Sequence, residues 1–176
     1  MAEKIEARDS APNEVSSIER VYADAFPDED LVPLVKKLLK EDKSIVRSIL
    51  GITDGDVAGH GIFTTCGVIG TPDKVALLAP LAVAPHYQRQ GIGTTIVCAG
   101  LRHLEQAGIN RVFVLGDPTY YRRFGIERED HVEPPYTLPE EWLGAWQSLN
   151  LQKSNAPLRG KLSVPKPWLR RALWEP

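Results

Sequence analysis

A short glycine-containing loop in the middle of the chain carries the residues best suited to bind an anion. It spans residues 88–93, with the sequence QRQGIG, between a predicted strand and a predicted helix. Its two glycines let the backbone approach a ligand closely and turn amide groups toward one point. The helix adds unpaired N–H groups and the positive end of its dipole, and Arg89 adds a full charge. These are properties of a pyrophosphate-binding loop, although the same residues also suit an ordinary strand-to-helix turn.

The two common nucleotide-binding motifs do not match this loop. The dinucleotide fingerprint G-x-G-x-x-G needs a third glycine, and residues 91–96 read GIGTTI. A P-loop needs Gly-Lys-Ser/Thr after its first glycine, and no such residues follow. What remains is the pattern Gln/Arg-x-x-Gly-x-Gly after an apolar strand.

A second segment with chemical potential follows a predicted buried strand at residues 111–115. Residues 116–126 read GDPTYYRRFGI and predict a short helix that runs into another strand. Tyr121 stands four residues before Gly125. A tyrosine is protonated at neutral pH, because its ordinary pKa is near 10, and it can therefore act as a general acid.

The two segments together resemble the GNAT N-acetyltransferase family over about residues 4–126. The first is similar to the family's acetyl-CoA loop, and the second is similar to its tyrosine-bearing helix. The GDPxYYxRFG form looks like a bacterial subgroup of predicted GNAT acetyltransferases. Ile126 departs from the family pattern, since phenylalanine is usual there, but the change keeps an apolar side chain.

The resemblance implies an enzyme that moves the acetyl group of acetyl-CoA directly to a primary amine. The strand backbone would pair with the pantetheine arm, and the loop amides would hold the pyrophosphate. Tyr121 would be the acid that protonates the leaving sulfur, with Tyr120 as the fallback. The alternative is a non-catalytic acyl-CoA-binding or regulatory module on the same fold. The cofactor-binding residues implied are Leu81, Ala82, Val83, Gln88, Arg89, Gln90, Gly91, Ile92, Gly93 and Thr94.

A defined set of elements must hold these segments in place. Hydrophobic periodicity predicts a mixed α/β fold, and the element order is that of the GNAT fold, with a central, mostly antiparallel sheet flanked by helices. Pro80 interrupts a strand and cannot donate a ladder hydrogen bond, so we expect the sheet to splay between residues 75–83 and 111–115. The strands are predicted at 4–9, 44–52, 57–66, 75–83 and 111–115. The main helices begin near Ser10 and Asp30, which are the expected caps, and at Gly91.

The last fifty residues are less regular. We predict one domain over residues 1–176, in which 127–176 complete the sheet and the acceptor site. A short helix is expected within Glu140–Leu149 and a last strand within Leu158–Val164. The four tryptophans of this region are interpreted as packing residues of the core or of a homodimer contact, with the lining of an acceptor pocket as the alternative.

Composition narrows the class of protein. The chain has 176 residues and a formal net charge of −2, which gives no bulk attraction to nucleic acid or to an anionic membrane. No apolar run is long enough for a membrane span, and the polar N-terminus does not fit a secretory signal. Cys66 and Cys98 predict reduced thiols in a cytoplasmic protein, with no metal site. His60 and His86 titrate in a useful range, but a lone histidine is more often structural, so the general base stays unassigned.

Overall fold

The computed structural model describes residues 4–153 and 157–176. Its chain forms two compact units. Unit 1 consists of Met1–Phe63 and Ala79–Arg102, and unit 2 consists of Thr64–Leu78 and His103–Pro176. The strands are β1 (Ile5–Asp9), β2 (Val46–Thr53), β3 (Asp56–Val68), β4 (Lys74–Val83), β5 (Arg111–Leu115), β6 (Glu127–Arg128), β7 (Val132–Glu133), β8 (Trp146–Asn150) and β9 (Gly160–Ser163). The α-helices are α1 (Val15–Ala25), α2 (Val32–Leu39), α3 (Ile92–Gln106) and α4 (Pro118–Tyr121).

In unit 1 the strands follow the order β1-β2-β3-β4. Strands β2 and β3 form the predicted hairpin, because Asp54 and Gly55 both have positive φ, 53° and 77°, as a type I′ turn requires. Helix α3 packs on one face of β3, since a Cβ built at Gly59 would lie 2.9 Å from Ile92. His60 alternates with Gly59 and points to the opposite face, where it meets Tyr22 of α1. The predicted helices on both faces of the sheet are therefore confirmed in this unit.

In unit 2 the order is β4-β5-β8-β6, with β9 on β3 and β7 on β9. Strand β4 pairs in parallel with β5 at Ala76↔Val112 and Leu77↔Phe113, and β4 then continues to Val83. This short register agrees with the expected opening of the sheet. Strand β8 pairs antiparallel with the whole of β5, so the sheet is mixed, as the family resemblance implied.

Three of the four tryptophans of unit 2 pack in the core. Trp146, Trp168 and Trp174 are all at most 4% exposed. Trp146 stacks on Phe113 with ring centroids 5.4 Å apart, and Trp174 meets both other indoles edge-on. Their indole N–H groups donate to protein oxygens, so the rings fill the core without leaving a buried donor unpaired.

Three local predictions were wrong. Asp30 does not cap α2, because the N-cap position of that helix is Leu31. The segment expected as a helix forms a 3-10 turn over Glu140–Ala145 and then β8, because the backbone beyond Trp146 completes the ladder of β5. Ser10 does not cap the first helix. A 3-10 turn, Pro12–Glu14, leads into α1, and its cap position is Ala11, whose N–H donates to Glu14; the Ser10 hydroxyl donates to Ser48 instead. Across the part of the chain that the structure describes, no helix is both long enough and apolar enough to cross a membrane.

Candidate cofactor and catalytic site

The glycine loop has an unusual backbone. A 3-10 turn, Pro85–Tyr87, leads into it, and Arg89 and Gly91 then adopt left-handed conformations with φ of 65° and 89°. Left-handed residues in a turn point successive amide groups toward a common concave side, the arrangement that binds anions. A non-glycine residue in this region costs roughly 1–2 kcal/mol, so Arg89 stores strain, as residues at ligand-binding turns often do.

The loop delivers the chain directly into the N-terminus of α3. The first helical hydrogen bond runs from Thr95 N–H to the Gly91 carbonyl at 3.0 Å, and the Thr95 hydroxyl donates to the same oxygen at 2.8 Å. The amides of Ile92, Gly93 and Thr94 therefore precede the first turn's internal bonds, where helices bind anions. The loop residues before them, 88–91, are exposed. The predicted pyrophosphate residues thus form one continuous stretch of backbone.

The end of β4 presents its backbone in two directions. The Ala84 N–H donates to Ala58 of β3 at 2.8 Å, and the Ala82 carbonyl also faces β3, lying 3.0 Å from a Cβ built at Gly59. Backbone groups alternate along a strand, so the N–H and carbonyl of Leu81 and Val83 point away from β3. The Val83 carbonyl accepts a hydrogen bond from the Gln88 side chain at 3.0 Å, which ties the strand to the loop.

Tyr121 lies at the end of α4. This short helix is capped by Asp117, whose carboxylate accepts the Thr119 N–H at 2.9 Å. The Tyr121 ring lies against Gly116, where an added Cβ would be 2.6 Å from Cε2 of the ring. Burial, with a smaller contribution from Tyr120, raises the pKa of Tyr121 above its ordinary value, so the phenol stays protonated at neutral pH. The role of Gly116 was not predicted from the sequence, although it belongs to the GDPxYY pattern.

Tyr120 has different contacts. The Arg123 guanidinium stacks 4.3 Å from the centre of its ring, a cation–π arrangement. The Tyr120 and Tyr121 rings are perpendicular, with centroids 5.0 Å apart. The structure therefore brings the Leu81–Val83 segment and the loop together in unit 1, whereas both tyrosines belong to unit 2.

A buried polar cluster in unit 1 was missed by sequence reasoning. His60 is 0% exposed, and its Nδ1 lies 2.8 Å from the Tyr22 hydroxyl. Its Nε2 lies 2.7 Å from the Ser48 hydroxyl, which in turn accepts from Ser10 at 2.7 Å. Burial lowers the pKa of His60 to about 3, so the ring is neutral at physiological pH. The Tyr22 hydroxyl also lies 3.3 Å from the Pro80 carbonyl of β4.

The remaining candidates for chemistry have plainer surroundings. His86 is exposed and contacts Tyr87 edge-on, at 5.2 Å between ring centroids. Cys66 and Cys98 are free thiols, and burial raises the pKa of Cys66 to about 12. Among residues 4–153 and 157–176, no group of three or more His, Cys, Asp or Glu side chains is arranged to hold a metal ion.

Known proteins share both the sequence pattern and the fold of this chain. The sequence profile of the Acetyltransferase (GNAT) family matches residues 14–126. The uncharacterized N-acetyltransferase YjhQ of Escherichia coli strain K12 is 34% identical over 161 residues, which cover 88% of this chain and 89% of that protein. The crystal structure of the Escherichia coli GNAT family N-acetyltransferase YhbS in complex with CoA superimposes with a TM-score of 0.84, at 25% identity, over 97% of this chain and 94% of that one.

A GNAT family acetyltransferase from Brucella melitensis, solved in complex with acetyl-CoA, has the same fold, with a TM-score of 0.75 at 24% identity over 94% of this chain and 98% of that one. The profile match covers more than half of the chain, and the sequence relative covers most of it. Both sequence segments that suggested the family, the loop at 88–93 and the helix before Gly125, lie within the matched region. The chain therefore belongs to the GNAT family of acetyltransferases.

Proposed function

We propose that this protein transfers the acetyl group of acetyl-CoA to a primary amine. The observation that carries the proposal is the continuous backbone site in unit 1, in which the left-handed loop, the N-terminus of α3 and the outward-facing groups of Leu81 and Val83 follow one another. Two proteins with the same fold were solved with CoA or acetyl-CoA bound, which supports the same ligand for this chain.

The residues of this chain have the chemistry that acetyl-CoA requires. The loop amides and the N-terminus of α3 would hold the pyrophosphate, and Arg89 would add charge beside it. The carbonyl of Leu81 and the backbone groups of Val83 would bind the amide groups of the pantetheine arm as a neighbouring strand does. Gln88 would have to release the Val83 carbonyl for this purpose, since it donates to that oxygen.

The transfer itself needs few protein groups. The amine nitrogen forms a bond to the acetyl carbon while the carbon–sulfur bond breaks. The Leu81 N–H would stabilise the carbonyl oxygen as it gains negative charge. Tyr121 would give its proton to the departing sulfur and would later regain one from solvent, while the amine loses its extra proton to water. His60 is not assigned as the base, because a buried imidazole with a pKa of about 3 does not hold a proton at neutral pH. The base therefore stays unassigned.

The proposal extends to the setting of the enzyme. Residues 127–176 supply β6 and β8, which extend β5, and we expect the same region to complete the acceptor site within one functional domain. Leu143 and Leu169, which are 44% and 53% exposed, would suit a homodimer contact. Two free cysteines are consistent with a cytoplasmic enzyme. The alternative, a non-catalytic acyl-CoA-binding module, would need the same loop but not Tyr121.

Ligand binding tests the loop through a matched pair of glycine variants. Gly91→Ala places a Cβ at the loop, whereas Gly55→Ala places one in open space at the hairpin, and both residues have positive φ. Isothermal titration with CoA, acetyl-CoA and NAD should show CoA binding that Gly91→Ala weakens about tenfold or more, since a hydrogen bond to a charged group contributes about 1.5–3 kcal/mol. Gly55→Ala should bind as the wild type does. Binding of NAD without CoA would refute the ligand assignment.

Turnover tests the role of Tyr121. Release of the CoA thiol should be followed with a panel of small amines, aminoglycosides, peptide N-termini and protein lysines. Tyr121→Phe should lower kcat roughly a hundredfold with an unchanged Kd for acetyl-CoA. Gly116→Ala should have a similar effect by displacing the ring. Tyr120→Phe keeps the ring that Arg123 stacks on and should change little. A wild-type protein that binds acetyl-CoA but uses none of these acceptors would favour the non-catalytic module.

A further inference from the structure

One chain of hydrogen bonds in unit 1 runs from a cavity wall to the backbone of β4. Ser10 and Ser48 line a cavity of about 280 Å³, and their hydroxyls are 2.7 Å apart. From Ser48 the chain continues through both ring nitrogens of His60 to the Tyr22 hydroxyl and ends at the Pro80 carbonyl. Its five members come from five separate parts of the sequence, yet consecutive polar atoms lie 2.7–3.3 Å apart.

In one tautomer of neutral His60, the chain has a polarity that delivers a donor to Pro80. With the ring proton on Nδ1, Ser48 accepts from Ser10 and donates to Nε2 of His60, and Nδ1–H donates to the Tyr22 oxygen. In this tautomer the Tyr22 hydroxyl donates to the Pro80 carbonyl at 3.3 Å. The neutral state of His60 is essential here, because a charged ring would donate from both nitrogens and reverse the bond from Ser48. Burial maintains that neutral state by lowering the pKa to about 3.

The end point of the chain is the peptide group that carries the Leu81 N–H. The Pro80 carbonyl and the Leu81 N–H belong to one peptide unit, and in a trans unit they point in opposite directions. The carbonyl points toward Tyr22, so the N–H points away, which agrees with the alternation that turns Leu81 away from β3. A hydrogen bond accepted by a carbonyl polarises its peptide unit and makes the N–H on the other side a stronger donor.

We propose that Tyr22 is a positioning residue that fixes and polarises the Pro80–Leu81 peptide and thereby strengthens the Leu81 N–H as the donor to the thioester carbonyl. In this proposal His60 carries its ring proton on Nδ1, and Ser10, Ser48 and His60 together orient the Tyr22 hydroxyl. The inference rests on the proposed function, in which Leu81 supplies that donor. It gives a role to two polar side chains of the core, His60, which is 0% exposed, and Tyr22, which is 1% exposed. Neither residue belongs to β4.

The infrared frequency of the thioester carbonyl tests this directly and needs no acceptor. Acetyl-CoA labelled with 13C at the carbonyl is bound to the whole protein, and the labelled stretch is compared with its value in solution. We expect a displacement to lower frequency in the wild type. Tyr22→Phe should reduce that displacement by roughly 10–30%, the strengthening that one cooperative bond supplies, with no change in the Kd for acetyl-CoA. If Tyr22 served only the stability of the fold, its substitution would not change the carbonyl frequency while leaving the Kd for acetyl-CoA unchanged.

Two further variants keep the test decisive. Ser48→Ala breaks the chain at a distance from β4 and should give a smaller loss in the same direction, even if Tyr22→Phe does not fold. Tyr136→Phe removes a tyrosine hydroxyl in unit 2, keeps the ring beside Arg171, and should leave the frequency at the wild-type value. This inference alone is overturned if the carbonyl frequency is displaced in the wild type and is displaced equally in folded Tyr22→Phe and Ser48→Ala. If the carbonyl frequency of the wild type equals its value in solution, both the assignment of the Leu81 N–H as the donor and this inference are overturned.

Discussion

Mild acid should destabilise this protein through His60. The folded state holds the imidazole fully buried, with a pKa of about 3, against an ordinary value of 6.5 that applies when the chain is unfolded. Between these two pKa values the unfolded state binds a proton at His60 and the folded state does not. The contribution of neutral His60 to the free energy of unfolding is therefore complete above about pH 6.5 and is lost as the pH falls toward 3.

The size of the effect follows from the same two values. One proton bound only by the unfolded state gives a slope of about 1.4 kcal/mol per pH unit. At pH 5 the free energy of unfolding should therefore be about 2 kcal/mol lower than at pH 8 from this group alone. Glu14, whose pKa the Arg8 hydrogen bond lowers to about 2, adds its own loss mainly at lower pH. The window from pH 8 to pH 5 thus reports chiefly on the histidine.

The assay is urea unfolding at several pH values for the wild type, His60→Gln and His86→Gln. His60→Gln removes the titrating group and should flatten the slope between pH 6.5 and 5, whatever its cost at pH 8. His86→Gln removes an exposed histidine and should keep the wild-type slope. Equal slopes for the wild type and His60→Gln would refute the reasoning. So would an NMR titration in which the His60 ring of the folded protein gains a proton near pH 6.

Two further predictions concern packing and a buried ion pair. Glu129→Gln should lower the free energy of unfolding by about 3 kcal/mol, because Arg111 lies 2.6 Å from Glu129 and would keep its charge without a buried partner; a loss below about 1 kcal/mol in urea unfolding would contradict this. Gly100→Ala should cost about 3 kcal/mol, since its Cβ would lie 1.9 Å from the Phe63 ring. Adding Phe63→Leu should recover part of that loss, and a simple sum of the two single effects would argue against the clash.

Local signals in the sequence specified much of the fold. The Asp54-Gly55 pair predicted the hairpin because both residues tolerate the positive φ of its turn. The strand at 111–115 was predicted at its observed bounds, since a short apolar run between polar residues leaves little choice. The loop at 88–93 was also recognisable, because glycine spacing and the helix that follows act within a few residues. The left-handed conformation of Arg89 was not, since arginine carries no local signal for it.

Features that depend on distant partners were not predictable in the same way. Trp142 and Trp146 have helical spacing, but pairing with β5 made a strand from Trp146 onward. Ser10 resembles a helix cap, and only the folded chain places Ser48 where it accepts the Ser10 hydroxyl instead. His60 gave no sequence signal for its role, because both of its hydrogen-bonding partners lie far from it along the chain.

The residues proposed to bind the cofactor and the residue proposed as the acid are specified in different ways. The proposed cofactor-binding residues would use backbone groups, which the left-handed conformations and the start of α3 orient, so the side chains of Gln90 and its neighbours can vary without removing the amides. The proposed acid is one side chain, Tyr121, whose ring position depends on the absence of a side chain at Gly116. Cofactor binding should therefore tolerate substitution more readily than turnover does. A relative that keeps the loop but carries a larger residue at the position of Gly116 would be expected to bind acetyl-CoA and transfer its acetyl group slowly.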